Sequence, residues 1–159
     1  PVIIVTAPDI DELVNSGSGD IVADDLEGED VCIVNSGSGD INSGDIDCLN
    51  AVIVNSGSGS IETGYITSTS LKVTISGSGT LDTEGEAVSA RYILSGSGAL
   101  YAQDLVTDES KITISGSGSV YATVLQYLEA VLSGSGNIYL SGDPEVNVVR
   151  SGSGRVIYR

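Results

Sequence analysis

The sequence predicts an all-β fold: a single-stranded parallel β-helix, or β-solenoid, of about eight coils of 18–20 residues. Three observations carry this. The tetrapeptide Ser-Gly-Ser-Gly recurs eight times, beginning at Ser16, Ser36, Ser56, Ser76, Ser95, Ser115, Ser133 and Ser151, at intervals of 20, 20, 20, 19, 20, 18 and 18 residues. Its flanks align into aliphatic columns, and no helical periodicity or capping pattern falls between the glycines. The period is too short for tetratricopeptide, ankyrin or propeller repeats. At about 3.3 Å per residue it suits one flattened rung of two or three short strands, with rungs stacked about 4.8 Å apart.

Each coil begins with a strand leading into the tetrapeptide. Three positions before it stand Leu13, Ile33, Ile53, Val73, Tyr92, Ile112, Ala130 and Val148, and Glu12, Cys32, Lys72, Arg91 and Lys111 alternate with them. An alternation of two is the strand period, so the first set should face the core. Immediately before the corner, Asn15, Asn35 and Asn55 give way to Ile75, Leu94, Ile114 and Leu132. The amides read as an internal asparagine ladder that satisfies buried polar groups.

The tetrapeptide itself reads as a corner. Glycine supplies positive φ or close backbone approach, and serine hydroxyls bond nearby backbone or the serine of the next rung. A flexible Ser-Gly linker has the same letters, but not eight in-register aliphatic flanks.

A second strand follows. Asp20, Asp40, Ser60, Thr80, Ala99, Ser119, Asn137 and Arg155 form a mostly polar column, and Ile21, Ile41, Ile61, Leu81, Leu100, Val120, Ile138 and Val156 a wholly apolar one. One position further on, Tyr101, Tyr121 and Tyr139 share a column that should point outward as an exposed aromatic stripe, a candidate surface for sugar rings or a protein partner.

Composition agrees with thin stacked layers. The 159 residues are 40% hydrophobic but contain no Phe, Trp or Met, so Val, Ile, Leu and Ala must fill the core. One domain spanning 1–159 is expected. The net charge of −16 is uneven: residues 1–71 hold 13 acidic and no basic residues, and 72–159 hold 9 acidic and 6 basic. Such a surface repels phosphate backbones and anionic head groups, which argues against nucleic-acid binding and electrostatic membrane docking. No run of 18 or more apolar residues offers a membrane span, and no basic-then-apolar leader is present in these residues.

The absence of His excludes Ser-His and Cys-His nucleophilic catalysis and His-ligated zinc. No cofactor is expected. Cys32 and Cys48 fall in neighbouring coils, about four residues out of register, and read as unpaired. Asp20, Asp24, Asp25, Asp40, Asp45 and Asp47 cluster in two rungs, and Asp20 above Asp40 is a weak candidate cation site. A lyase-like centre also needs a basic partner, yet the first Lys, Lys72, lies about two rungs away.

The segments VNSGSGDI, TISGSGTL and LSGSGNIYL resemble the head GIN domain family of autotransporter-type adhesins from Gram-negative bacteria of the Bacteroides group. The resemblance covers nearly the whole chain. It implies a right-handed parallel β-helix distantly similar to pectin lyases, with GSG motifs at the turns. It also implies an exported or outer-membrane-associated surface protein with a role in adhesion and no established catalytic residues. Handedness rests on the resemblance alone, since left-handed hexapeptide coils also have 18-residue turns. Family members often carry a further N-terminal region, which leaves open that the chain is a fragment of a longer exported protein.

The leading expectation is therefore a non-enzymatic cell-surface or extracellular adhesion module whose partners are glycans or cell-surface proteins. A second is a filament subunit or rigid spacer. The chain opens with Pro-Val-Ile-Ile-Val and stops after Arg-Val-Ile-Tyr-Arg without an obvious cap, which invites end-to-end self-association. A polysaccharide lyase or hydrolase comes third, on fold analogy alone.

Overall fold

The structure is a computed structural model that describes residues 10–159; the opening Pro-Val-Ile-Ile-Val lies outside the described residues. Among those residues there is no helix, and twelve strands follow one another: β1 (Glu12–Asn15), β2 (Ile21–Val22), β3 (Leu26–Asn35), β4 (Ile41–Ser43), β5 (Ile46–Asn55), β6 (Ile61–Ile75), β7 (Thr80–Leu94), β8 (Ala99–Ile114), β9 (Ser119–Leu132), β10 (Ile138–Ser141), β11 (Glu145–Arg150) and β12 (Val156–Tyr158). Every pairing between them is parallel and joins each coil to the next, so the chain winds as a β-solenoid. The eight corners enclose seven intervals, so the solenoid has about seven turns, close to the coil number expected from the repeat.

The rungs are longer strands than the spacing suggests. From β6 to β9 nearly the whole rung between two tetrapeptides is one bent strand of 14–16 residues. Its bends are taken up by register shifts, as between Glu62 and Tyr65 and between Ala102 and Val106, while pairing continues on either side.

The core follows the two aliphatic columns. Leu13 pairs with Ile33 and the register runs on through Ile53, Val73, Tyr92, Ile112 and Ala130 to Val148. All are buried except Val148, 40% exposed in the last described coil. The second column runs in register from Ile21 to Val156 and is buried from Ile41 to Ile138. Each fully buried aliphatic contributes roughly 1.5–3 kcal/mol, and the parallel ladder places every one on an equivalent neighbour.

The asparagines each secure their own corner. Asn35 Nδ2 donates to the Gly39 carbonyl at 2.7 Å, and Gly37 N–H donates to Asn35 Oδ1 at 3.2 Å. Asn15 bonds its corner in the same way. Asn55 Nδ2 donates to the carbonyls of Gly59 and Thr80, while its buried Oδ1 has no partner; from the next coil on the position is aliphatic. The asparagines therefore bond backbone groups, in their own coil and for Asn55 in the next one too, and not one another. Serines add links between corners, as Ser76 Oγ to Ser56 Oγ at 3.2 Å and Ser153 Oγ to Ser135 Oγ at 3.1 Å.

Candidate functional site

β8, β9 and β10 carry the tyrosine column. Tyr101 pairs with Tyr121 and Tyr121 with Tyr139, so three rings project from the same position of successive rungs. The Tyr101 and Tyr121 rings lie 5.2 Å apart at 20°, and the Tyr121 and Tyr139 rings 4.5 Å apart at 7°. Arg159 places its guanidinium 5.6 Å from the Tyr121 ring centre. Tyr101 is 36% exposed and the other two are half-buried. Stacking turns the ring faces toward one another, so a partner meets the hydroxyl tips and ring edges, a ridge with apolar flanks and hydrogen-bonding crests.

The acidic residues are held by backbone amides. Asp40 N–H donates to Asp20 Oδ1 at 2.9 Å, and Ser60 N–H to Asp40 Oδ1 at 2.7 Å. Asp45 and Tyr65 donate likewise to Asp25 and Asp45. Each of these carboxylates thus accepts from the rung stacked on it, which offsets like-charge repulsion in an exposed column. Asp25, Glu27, Asp45, Asp47, Tyr65 and Thr67 line a groove of about 250 Å³. Among the described residues no group of three or more His, Cys, Asp or Glu is placed to hold a metal ion.

Both cysteines are free. Cys32 pairs with Val52 and Cys48 with Gly28, which confirms the four-residue offset. Burial pushes both thiols above their ordinary range; nearby Glu12 adds to this at Cys32 and Asp47 at Cys48.

Two outward columns on the strand before the corner carry chemistry that the alternation alone obscures. Val14, Val34, Val54, Thr74, Ile93, Thr113, Val131 and Val149 are stacked in register: a continuous β-branched strip, half-buried except at its two ends. The signal for it was present, because residues 31–34 and 51–54 are apolar at every position, the mark of a strand with two apolar faces. Beside it run Glu12, Cys32, Val52, Lys72, Arg91, Lys111, Glu129 and Asn147. Half of the chain's six cationic residues therefore occupy three consecutive rungs of one column. Lys111 Nζ bonds Glu129 Oε1 at 2.6 Å, the one ion pair among the described residues. A shallow hollow of about 190 Å³ beside it is lined by Ser89, Glu109, Lys111, Tyr127 and Glu129.

Comparison with known proteins places this arrangement. A search of curated proteins finds no match. Among solved structures, a crystal structure of a protein described as "Putative lipid binding protein" from Parabacteroides distasonis ATCC 8503 superposes with a TM-score of 0.87 at 26% identity. The alignment covers 94% of this chain and 62% of that one, so the chain spans less than two thirds of its neighbour's length. The family model described as "Putative auto-transporter adhesin, head GIN domain" matches residues 2–144. Solenoid, corner repeat and sequence match agree: the chain belongs to the auto-transporter adhesin head GIN domain family.

Proposed function

We propose that this chain is a non-enzymatic binding module of a surface-displayed or extracellular adhesin, engaging glycans or cell-surface proteins along its faces rather than inside a pocket. The observation that carries the reading is the axial organisation of its exposed side chains, with Tyr101, Tyr121 and Tyr139 as the aromatic ridge. The two hollows of about 190 and 250 Å³ are smaller than the roughly 300–1,000 Å³ of pockets that enclose small ligands. A ridge with one equivalent contact per rung suits an extended partner, because weak contacts repeated along a line add into avidity. The family description supports adhesion, and the absence of His removes Ser-His and Cys-His nucleophilic catalysis.

Lipid binding is the second reading. The neighbouring structure's description suggests it, and the half-buried β-branched strip from Val14 to Val149 favours it by offering apolar area to an acyl chain.

Glycan-array and vesicle binding run in parallel, with wild type and the triple variant Tyr101→Ser, Tyr121→Ser, Tyr139→Ser, test both. Glycan binding lost in the triple variant supports the tyrosine ridge. Unchanged binding alongside lower stability makes the tyrosines a structural ladder. Vesicle binding without glycan binding moves the assignment to lipid, and silence in both leaves the spacer or filament role.

A further inference from the structure

Lys72, Arg91 and Lys111 pose a problem that stability does not answer. In a chain of net charge −16, cations are best used next to carboxylates, yet these three stack on one another across β6, β7 and β8. Like charges on adjacent strands, about 4.8 Å apart, destabilise the pairing. Glu129 relieves only Lys111, and Lys72 and Arg91 are exposed with no ion pair among the described residues. The acidic groups of β3 to β5 line a different stretch of the rung, around Asp25, Asp45 and Asp47. Beside the cations runs the β-branched strip, with Thr74, Ile93 and Thr113 at these levels and Val54 one rung before them. A cationic row bordered by an apolar row, both parallel to the solenoid axis, is complementary to a long, stiff, anionic partner with apolar faces.

We propose that this face docks a linear acidic polysaccharide lying along the axis, with its carboxylates on Lys72, Arg91 and Lys111 and the C–H faces of its rings on Val54, Thr74, Ile93 and Thr113. Peptides dock through a free sheet edge, a groove or an Arg cluster; on this face every rung is paired on both sides and the three cations include a single Arg, which favours this occupant over an acidic peptide. A uronate polymer carries one carboxylate per ring and can lay the C–H faces of its rings on a flat apolar strip. An anionic membrane is a poorer fit, because lipid-binding basic clusters hold about 4–8 Lys or Arg and this one holds three on a strongly acidic chain. At an ionic strength of about 0.15 M the Debye length of about 8 Å confines repulsion from the acidic faces, while direct contacts survive. The inference uses a face separate from the tyrosine ridge and stands or falls independently of it.

The test is calorimetric titration of the chain with polygalacturonate oligomers and with a neutral glucan of the same length, at about 0.15 M salt. The chain should bind the uronate and not the glucan. Lys72→Gln with Arg91→Gln keeps the stems and removes two charges, and should weaken uronate binding about tenfold, as expected for two exposed charge contacts. Arg150→Gln with Arg155→Gln makes the same change in net charge away from the ladder and should leave binding within twofold or so. Equal losses in the two double variants would reduce the effect to net charge and overturn the proposal. So would failure of wild type to bind uronate, or binding only to vesicles containing phosphatidylglycerol. Neutral-glycan binding that persists while uronate binding fails would overturn the ladder and leave the tyrosine reading intact.

Discussion

Asn35 is fully buried and holds both ends of its corner, through Gly37 N–H and the Gly39 carbonyl. Replacing it with Ala leaves two backbone groups short of a partner and opens a cavity, so Asn35→Ala should cost about 1–3 kcal/mol, read as a lower urea midpoint. The corner glycines answer a different constraint. The glycines with positive φ among the described residues are Gly85 (φ 128°) and Gly142 (φ 96°), and neither belongs to a tetrapeptide. What the tetrapeptide needs is close stacking: a methyl group on Gly57 would collide with the Gly37 carbonyl oxygen of the coil beneath. Gly57→Ala should therefore destabilise by about 1–3 kcal/mol, and an equal melting temperature for variant and wild type would remove close approach as the reason for the repeat. Tyr92, wholly buried in the core column, has its phenol pushed well above the ordinary value of 10.0 by desolvation. Because the folded value is the higher one, its contribution is complete below pH 10 or so and is lost as pH rises beyond it. Phenolate absorbance in an alkaline titration should show Tyr92 ionising only together with unfolding.

At the scale of the strand, β9 is the centre of the aromatic ladder, since Tyr121 stacks on Tyr101 of β8 and Tyr139 of β10. Tyr121→Ser removes both contacts at once and should cost about 1–3 kcal/mol, from roughly 0.5–1.5 kcal/mol per aromatic pair. A double-mutant cycle with Tyr139→Ser should return a coupling of about 0.5–1.5 kcal/mol, and a coupling near zero would mean that the rings merely lie side by side. The core columns were legible because the tetrapeptide supplies a ruler, and a strand alternates its faces by geometry. The position of every rung from Leu13 to Val148 follows from that ruler. The tyrosine column was legible for the same reason, but its closed stacking was not, because ring orientation depends on neighbouring rungs and on Arg159 arriving from the last one. The column holding Lys72, Arg91 and Lys111 was legible by the same ruler, four positions before the corner, but the Lys111–Glu129 contact and the exposure of Lys72 and Arg91 were not, because they depend on how side chains settle between stacked rungs. Lys72, Arg91 and Lys111 are 19 or 20 residues apart in sequence and adjacent only once the rungs are stacked. The long strands β6 to β9 were missed because their bends keep pairing through register shifts that leave no Gly or Pro signature as regular as the corner.

For the molecule as a whole, charge is graded along the axis while the backbone repeats. The rungs built from β2 to β5 hold the exposed residues Asp20, Asp25, Glu27, Asp40, Asp45 and Asp47, stacked in register or on each other's amides, and no cation falls before Lys72. A solenoid is nearly one-dimensional, so each rung is stabilised by its neighbours and local repulsion is felt locally. Raising salt from roughly 0.01 M to 1 M shortens the Debye length from about 30 Å to about 3 Å, and it should raise the melting temperature of this chain. Hydrogen exchange should resolve where the gain arises. Amides of β3 and β5 should slow markedly with salt, those of β8 and β9 much less, because the latter already carry Lys111 opposite Glu129 and lie among aliphatic rungs. A uniform slowing along the chain would instead assign the effect to burial strengthened everywhere by the salt. A gradient would show that the acidic rungs are held below their intrinsic stability by charge, a cost that fits a surface keeping an extended solenoid soluble and unassociated.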